Sequence, residues 1–310
     1  MKKEMQIKKT SWLYVIKTLF MLFILSLLIF FSISLFIEVE PIGNIAEIPI
    51  KGVITVEGGS GFGVQATSSE DTVKLIEKAS ENPSIKGILL NINSPGGSAV
   101  ASKEIADAIK KVNKTTVAII REVGASGAYW IASATDQLIA NEMSITGSIG
   151  VLGSYLQFSG ILERYNITYQ RLVGGQFKDI GSPYKDLTKT ERNILQEKIN
   201  KIHDVFIKSV AENRNMSFER MKLISTGEFF LGSEAFELNL IDQVGDIETA
   251  KEYLKQELNL TTITLAEYKK PTGFAGLFGS TFSEHFFYIG KGIGSELFEL
   301  RKSNKLEITT

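Results

Sequence analysis

Gly124-Ala125-Ser126-Gly127-Ala128-Tyr129 sets one serine among side chains too small to shield it. A strand-like run, Thr116–Ile120, precedes it, and the small residues of Ser126–Ala134 read as a short helix. The arrangement has the logic of a nucleophile elbow, though not its sequence. A substrate carbonyl can approach Ser126 Oγ, and the start of the helix offers free N–H groups where an oxyanion would develop. The same small residues also serve close packing, and alone they do not choose between the two.

Asn93-Ser94-Pro95-Gly96-Gly97-Ser98 reads as a tight turn between a buried strand, Gly87–Ile92, and a helix, Ala99–Val112. Its glycines allow backbone N–H groups to be aimed into a pocket. The amides of Gly97 and Gly127 together would make a two-donor oxyanion hole, each donor worth about 3–4 kcal/mol in the transition state. Taken alone, these residues slightly favour an ordinary strand-to-helix turn.

A serine nucleophile needs a base, and the chain narrows the choice. It has no cysteine and two histidines. His203 falls beside the apolar stripe of a long amphipathic helix and His285 in a Phe-rich tail, so both read as structural. A neutral lysine is then the remaining base, its pKa of about 10.4 lowered by burial or nearby positive charge. Lys178 lies in the turn-rich Gly174–Pro183 stretch after an expected strand, Thr168–Val173. Composition alone does not separate it from the other lysines. There is no H-E-x-x-H or P-loop motif, and Gly58–Gly63 is too loose a match to carry nucleotide binding.

The elements that must hold these residues alternate between strand and helix. Further strands are expected at Ile45–Val56, Gln137–Ala140 and Phe229–Leu231, and helices at Thr72–Ser80, Thr188–Asn213, near Ser233–Leu238 and at Ile247–Leu258. The pattern predicts an α/β fold with a largely parallel sheet. Thr188 and Glu191 form a capping-box pair, ahead of an apolar stripe of Leu195, Ile199, Ile202, Phe206 and Val210. Phe274, Phe278, Phe282 and Phe286 recur every four residues in the segment 271–310, which suits helix packing or a membrane-surface or partner-binding role.

The 310 residues carry a formal net charge of -1, which excludes a strongly basic nucleic-acid-coating protein. The charge is unevenly placed. Residues 1–17 hold five lysines against one glutamate, and the rest of the chain holds 29 basic and 34 acidic side chains. Between them, Thr18–Ile37 is uncharged over 20 residues, about 30 Å of helix and one hydrocarbon thickness. Lysines before it and Glu38 and Glu40 after it place residues 1–17 in the cytoplasm and the rest outside. The competing reading is a cleaved signal peptide, against which stand the long apolar run and the missing small-residue cleavage site. The expected plan is a cytoplasmic stub 1–17, an anchor 18–37, a linker 38–44, a catalytic domain 45–270 and the Phe-rich segment 271–310.

Four segments in order resemble the SppA-type signal peptide peptidases of the protease IV family, within the Clp-protease/crotonase superfamily. They are NSPGGS, GASGAYWIA, GSIGV at Gly147–Val151 and GGQFKDIGSPYKDLT, and the likeness spans about residues 45–265. The resemblance implies repeated β-β-α units with a mostly parallel sheet behind one transmembrane helix. It implies Ser126 as nucleophile, Lys178 as general base, Ser148 as the hydroxyl that orients the lysine, and Gly97 and Gly127 as the oxyanion hole. It implies no cofactor and no metal. The expected substrates are released signal peptides and other short apolar peptides at the membrane. The expected assembly is a homo-oligomer, in which the serine and lysine of one site can come from different subunits. Two positions depart from the family pattern: Ala128 stands where many members have a second glycine, and Gly96-Gly97-Ser98 where some have three. Both bear on pocket width. Rival readings are a related protease with a dedicated protein substrate, a crotonase-like acyl-CoA enzyme, and a non-catalytic membrane scaffold.

Overall fold

The computed structural model describes residues 2–36, 41–59 and 66–269. The chain divides into two units, residues 1–42 and 43–310. In the first, helix α1 spans Lys2–Phe36. Its stretch Trp12–Ile29 has a mean hydropathy of 2.2 and is long and apolar enough to cross a membrane. The helix therefore begins well before the expected anchor 18–37, whose last residue lies outside the described residues.

The second unit is built on one mixed sheet. Strand β1 (Ile45–Thr55) pairs in parallel with β2 (Ala66–Ser68) and β3 (Gly87–Gly97), and helix α2 (Ser69–Glu81) links those two. Helix α3 (Ala99–Lys110) leads to β4 (Thr115–Ala125), which lies parallel to β3. Helix α4 (Gly127–Ser133) then precedes β5 (Gln137–Ala140), also parallel. β6 (Ile145–Gly147) pairs with the far end of β4. After α5 (Ser159–Arg164), α6 (Lys189–Asn213) and α7 (Phe218–Ile224) comes β7 (Phe229–Leu231), antiparallel to β6. Finally α8 (Gly232–Glu237), β8 (Gln243–Val244), α9 (Ile247–Glu257) and β9 (Leu265–Glu267) close the fold, with β8 on β5 and β9 on β1.

The continuous apolar runs of β3 and β4 follow from burial on both faces. Ile88, Leu90, Ile92, Ala118 and Ile120 enter the larger core, with Ile76 of α2, Ile105 of α3 and Phe206 of α6. Their neighbours Leu89, Val117 and Ile119 point the other way, onto Ala250 and Leu254 of α9. A mostly parallel α/β sheet with alternating helices is thus the observed fold.

Three expectations need correction. Asn93–Gly97 is not a tight turn but the continuation of β3 through a register break between Ile92 and Ser94. Pro95, without an N–H to donate, falls at the break with no cross-strand partner, and the Ser94 hydroxyl donates to Gly52 O at 2.5 Å and accepts from Gly96 N. Thr168–Val173 is not a strand. Its alternation places Tyr169 against Tyr184 and Arg171 on Asp179, with no sheet edge beside it. Along α6, only the C-terminal part of the stripe is buried, at Phe206 and Val210, while Ile202 stays 40% exposed. The linker 38–44 is in part, and the segment 271–310 wholly, outside the described residues.

Candidate active site

Ser126 sits at the carboxyl end of β4, with φ 53° and ψ -123°. This left-handed conformation is strained for a side chain other than glycine, at a cost of about 1–3 kcal/mol, and it persists only when the surroundings enforce it. They do. The Ser126 N–H donates to Gly147 O at 2.8 Å, and its carbonyl accepts from Trp130 N at 3.0 Å. All seven residues of α4 are buried. Tyr129 Oη donates to Leu240 O at 2.7 Å, Trp130 Nε1 donates to Ser209 Oγ at 2.8 Å, and the Trp130 ring stacks on Phe206 at 4.5 Å. Ser68, Ser98, Thr188 and Ser217 occupy the same N-cap position on other helices and accept a backbone N–H there. The Ser126 hydroxyl makes no such bond, so it is free for chemistry.

The end of β3 lies against this serine. A Cβ on Gly96 would fall 2.7 Å from Gly127 N and 2.9 Å from Ser126 Cβ, and Gly96 has φ +96°. Only glycine tolerates both the approach and the conformation. A Cβ on Gly127 would fall 2.1 Å from Ser102 Oγ and 3.4 Å from Gly97 N. The Gly97 and Gly127 backbones therefore meet beside Ser126, with the Ser102 hydroxyl packed against Gly127. Gly97 is exposed, and Gly127 is the first residue of α4, where an N–H lacks an intrahelical acceptor.

Ser148 reaches the same place from β6. Gly147 pairs with Ala125, so Ser148 and Ser126 each stand one residue beyond a matched pair. Ser148 also has a left-handed φ of 49°. Its N–H donates to Glu228 O at 2.8 Å and its hydroxyl to Gly227 O at 3.2 Å, which ties it to the turn before β7.

Lys178 is elsewhere. It lies on the arm 151–187, in a turn where its N–H donates to Gly175 O at 3.2 Å. The side chain is exposed, and its amine makes no hydrogen bond or ion pair with any described residue. The structure thus gathers Ser126, Ser148, Gly97 and Gly127, and no contact links Lys178 to them within one chain. The second lysine of the arm behaves oppositely. Lys185 pairs closely with Glu191 and lies 3.5 Å from Asp179, which holds its amine in the charged form. Hydrogen bonds from Arg171 lower the Asp179 pKa to about 2, and those from Lys185 and Thr188 lower that of Glu191 to about 2.

Sequence reasoning missed Ser94, whose hydroxyl holds Gly96, Ser102, whose hydroxyl packs against Gly127, and the Arg171–Asp179 pair. The repeated Lys-Asp of residues 178–179 and 185–186 was the available signal for the last. His203 Nε2 is 3.1 Å from Ile149 O, inside the fold, and His285 lies outside the described residues.

Comparison with known proteins adds the following. The model of peptidase family S49 matches residues 108–261, and that of Clp protease matches residues 61–144. A Methanocaldococcus jannaschii protein named "Putative protease MJ0651" is 33% identical over 84% of this chain and 85% of its own. An Enterococcus faecium protein named "Putative signal peptide peptidase SppA" is 36% identical over 75% of this chain and 69% of its own. "Protease 4" of Haemophilus influenzae is 30% identical over 70% of this chain but only 35% of its own length.

Proposed function

The chain belongs to peptidase family S49, and from that premise we propose a membrane-anchored serine endopeptidase with a Ser126–Lys178 dyad. The observation that carries the reading is Ser126 itself: a strained, uncommitted hydroxyl beside the Gly97 and Gly127 backbones. The neutral Lys178 amine takes the Ser126 proton as Oγ attacks the scissile carbonyl. The Gly97 and Gly127 amides hold the oxyanion. Lys178 then protonates the leaving amine, and a water deprotonated by Lys178 hydrolyses the acyl-enzyme. Ser148 orients the lysine amine once the arm is docked.

The dyad is completed between copies. Lys178 has no partner among the described residues, and its arm carries apolar side chains that no described residue covers, among them Leu172 at 96% and Leu152 at 87% exposed. A second copy in a homo-oligomer covers them and brings each Lys178 to the neighbour's Ser126. Residues 1–17 lie in the cytoplasm, α1 is the anchor, and the catalytic unit works on the outer side. Its substrates are signal-peptide remnants and other short apolar peptides, in keeping with the name of the Enterococcus relative. No cofactor, metal or nucleic acid takes part.

The test is peptide hydrolysis by the full chain in detergent, with a serine-directed acylating probe located by mass spectrometry. Labelling at Ser126 and loss of turnover in Ser126→Ala and Lys178→Ala are expected. Unchanged turnover in Ser126→Ala would sink the reading.

A further inference from the structure

The lysine of the arm is followed directly by a carboxylate, Asp179, and that neighbour is the wrong one for a base. A carboxylate beside an amine favours the charged form and raises its pKa. The structure deals with this carboxylate specifically. Arg171 Nε donates to Asp179 Oδ2 at 2.6 Å and Nη2 to Oδ1 at 2.9 Å, a two-point grip. Nη2 also donates to Gln176 O at 2.9 Å, which straps the turn that carries Lys178. Lys185 stands 3.5 Å from Asp179 Oδ1 and is itself held by Glu191 at the start of α6. Asp179 is 12% exposed, against 38% for Arg171, so the carboxylate is turned into the arm and not toward the surface that displays Lys178.

We infer that Arg171 is a positioning residue for Lys178: it fixes the 175–179 turn and keeps the Asp179 carboxylate off the lysine amine. The inference rests on the reading of Lys178 as the base. The charged groups facing Asp179 are Arg171, Lys185 and, behind Lys185, Glu191; Tyr169 lies beside Arg171 and packs on Tyr184. With Arg171 removed, Asp179 keeps only Lys185, at 3.5 Å from Oδ1 and shared with Glu191, and Oδ2 is left to pair with the amine next to it.

The experiment is the pH profile of peptide hydrolysis by the full chain in detergent, for wild type, Arg171→Gln, Arg171→Lys and the double variant Arg171→Gln/Asp179→Asn. Arg171→Gln is expected to move the acidic limb of kcat/KM upward by about one pH unit, because the freed carboxylate stabilises the lysinium. The fall below the limb is expected in kcat, with KM little changed. Arg171→Lys, which keeps the charge but not the two-point grip, falls between. The double variant returns the limb to its wild-type position even if its rate stays low. An unmoved limb in Arg171→Gln, or a limb still displaced in the double variant, overturns the inference and leaves a merely structural ion pair. Lys178→Ala is run beside them. Retained turnover there overturns the dyad itself, an outcome distinct from any displacement of the limb.

Discussion

The Ser126 shelf and the Lys178 arm are held by opposite kinds of force. The shelf is the meeting point of β3, β4 and β6, floored by a fully buried helix whose Tyr129 and Trp130 are both hydrogen-bonded. Its neighbours hold Ser126 in a conformation it would not choose. The arm is exposed along most of 151–187 and has no strand among the described residues. Charges hold it: Arg171 on Asp179, Lys185 on Glu191, and Glu191 closing the capping box with Thr188. A nucleophile needs fixed geometry against an oxyanion site, which a packed core supplies. On the proposed reading the base comes from a neighbouring copy and has to be displayed, which a core would prevent.

The sharpest way to break the contrast is at the shelf. Gly127→Ala forces a Cβ to within 2.1 Å of Ser102 Oγ. It is expected to cost about 10²-fold in kcat by displacing the Gly127 amide, with KM nearly constant. Adding Ser102→Gly should recover part of that loss. Folding by circular dichroism separates a displaced amide from a collapsed fold.

A smaller effect is expected below the shelf. Tyr129→Phe leaves the buried Leu240 carbonyl without its donor and should cost about 1–2 kcal/mol in denaturant unfolding. The arm has its own test, through acid. Asp179 and Glu191 have folded-state pKa values of about 2, below the unfolded range of about 4. Their contribution is fully present above the unfolded value and is lost as pH falls through about 2. Limited acid proteolysis should therefore begin cutting within 151–187 between about pH 4 and pH 2, before the shelf is touched. First cuts in β3 or β4 would contradict the division. The mildest change is Thr188→Ala, expected to remove about 1 kcal/mol of helix capping and to loosen the arm more than the sheet.

The shelf was legible in the sequence because its physics is local. Gly96, Gly97 and Gly127 are glycines because no Cβ fits, and the runs Gly87–Ile92 and Thr116–Ile120 are apolar throughout because both faces are buried. What hid was the extension of β3 through Pro95, since a Pro-Gly-Gly run reads as a turn unless a neighbouring strand with its own irregularity, here at Gly52, is known. The arm was legible only as a lysine in a turn-rich stretch. Its expected strand failed because Thr168–Val173 has no partner strand, and its ion pairs join residues from 171 to 191 with no periodic signature. The exposed part of the α6 stripe, at Ile202, looked like core because sequence periodicity does not say whether the covering surface belongs to the same chain.

The central claim is that one active site takes its serine from one copy and its lysine from the next. The direct measurement is co-assembly of inactive Ser126→Ala and Lys178→Ala chains, followed by peptide hydrolysis. A head-to-tail ring in which each arm serves its neighbour regains roughly a quarter of wild-type turnover from an equal random mixture. No return of activity in verified mixed oligomers would contradict the account.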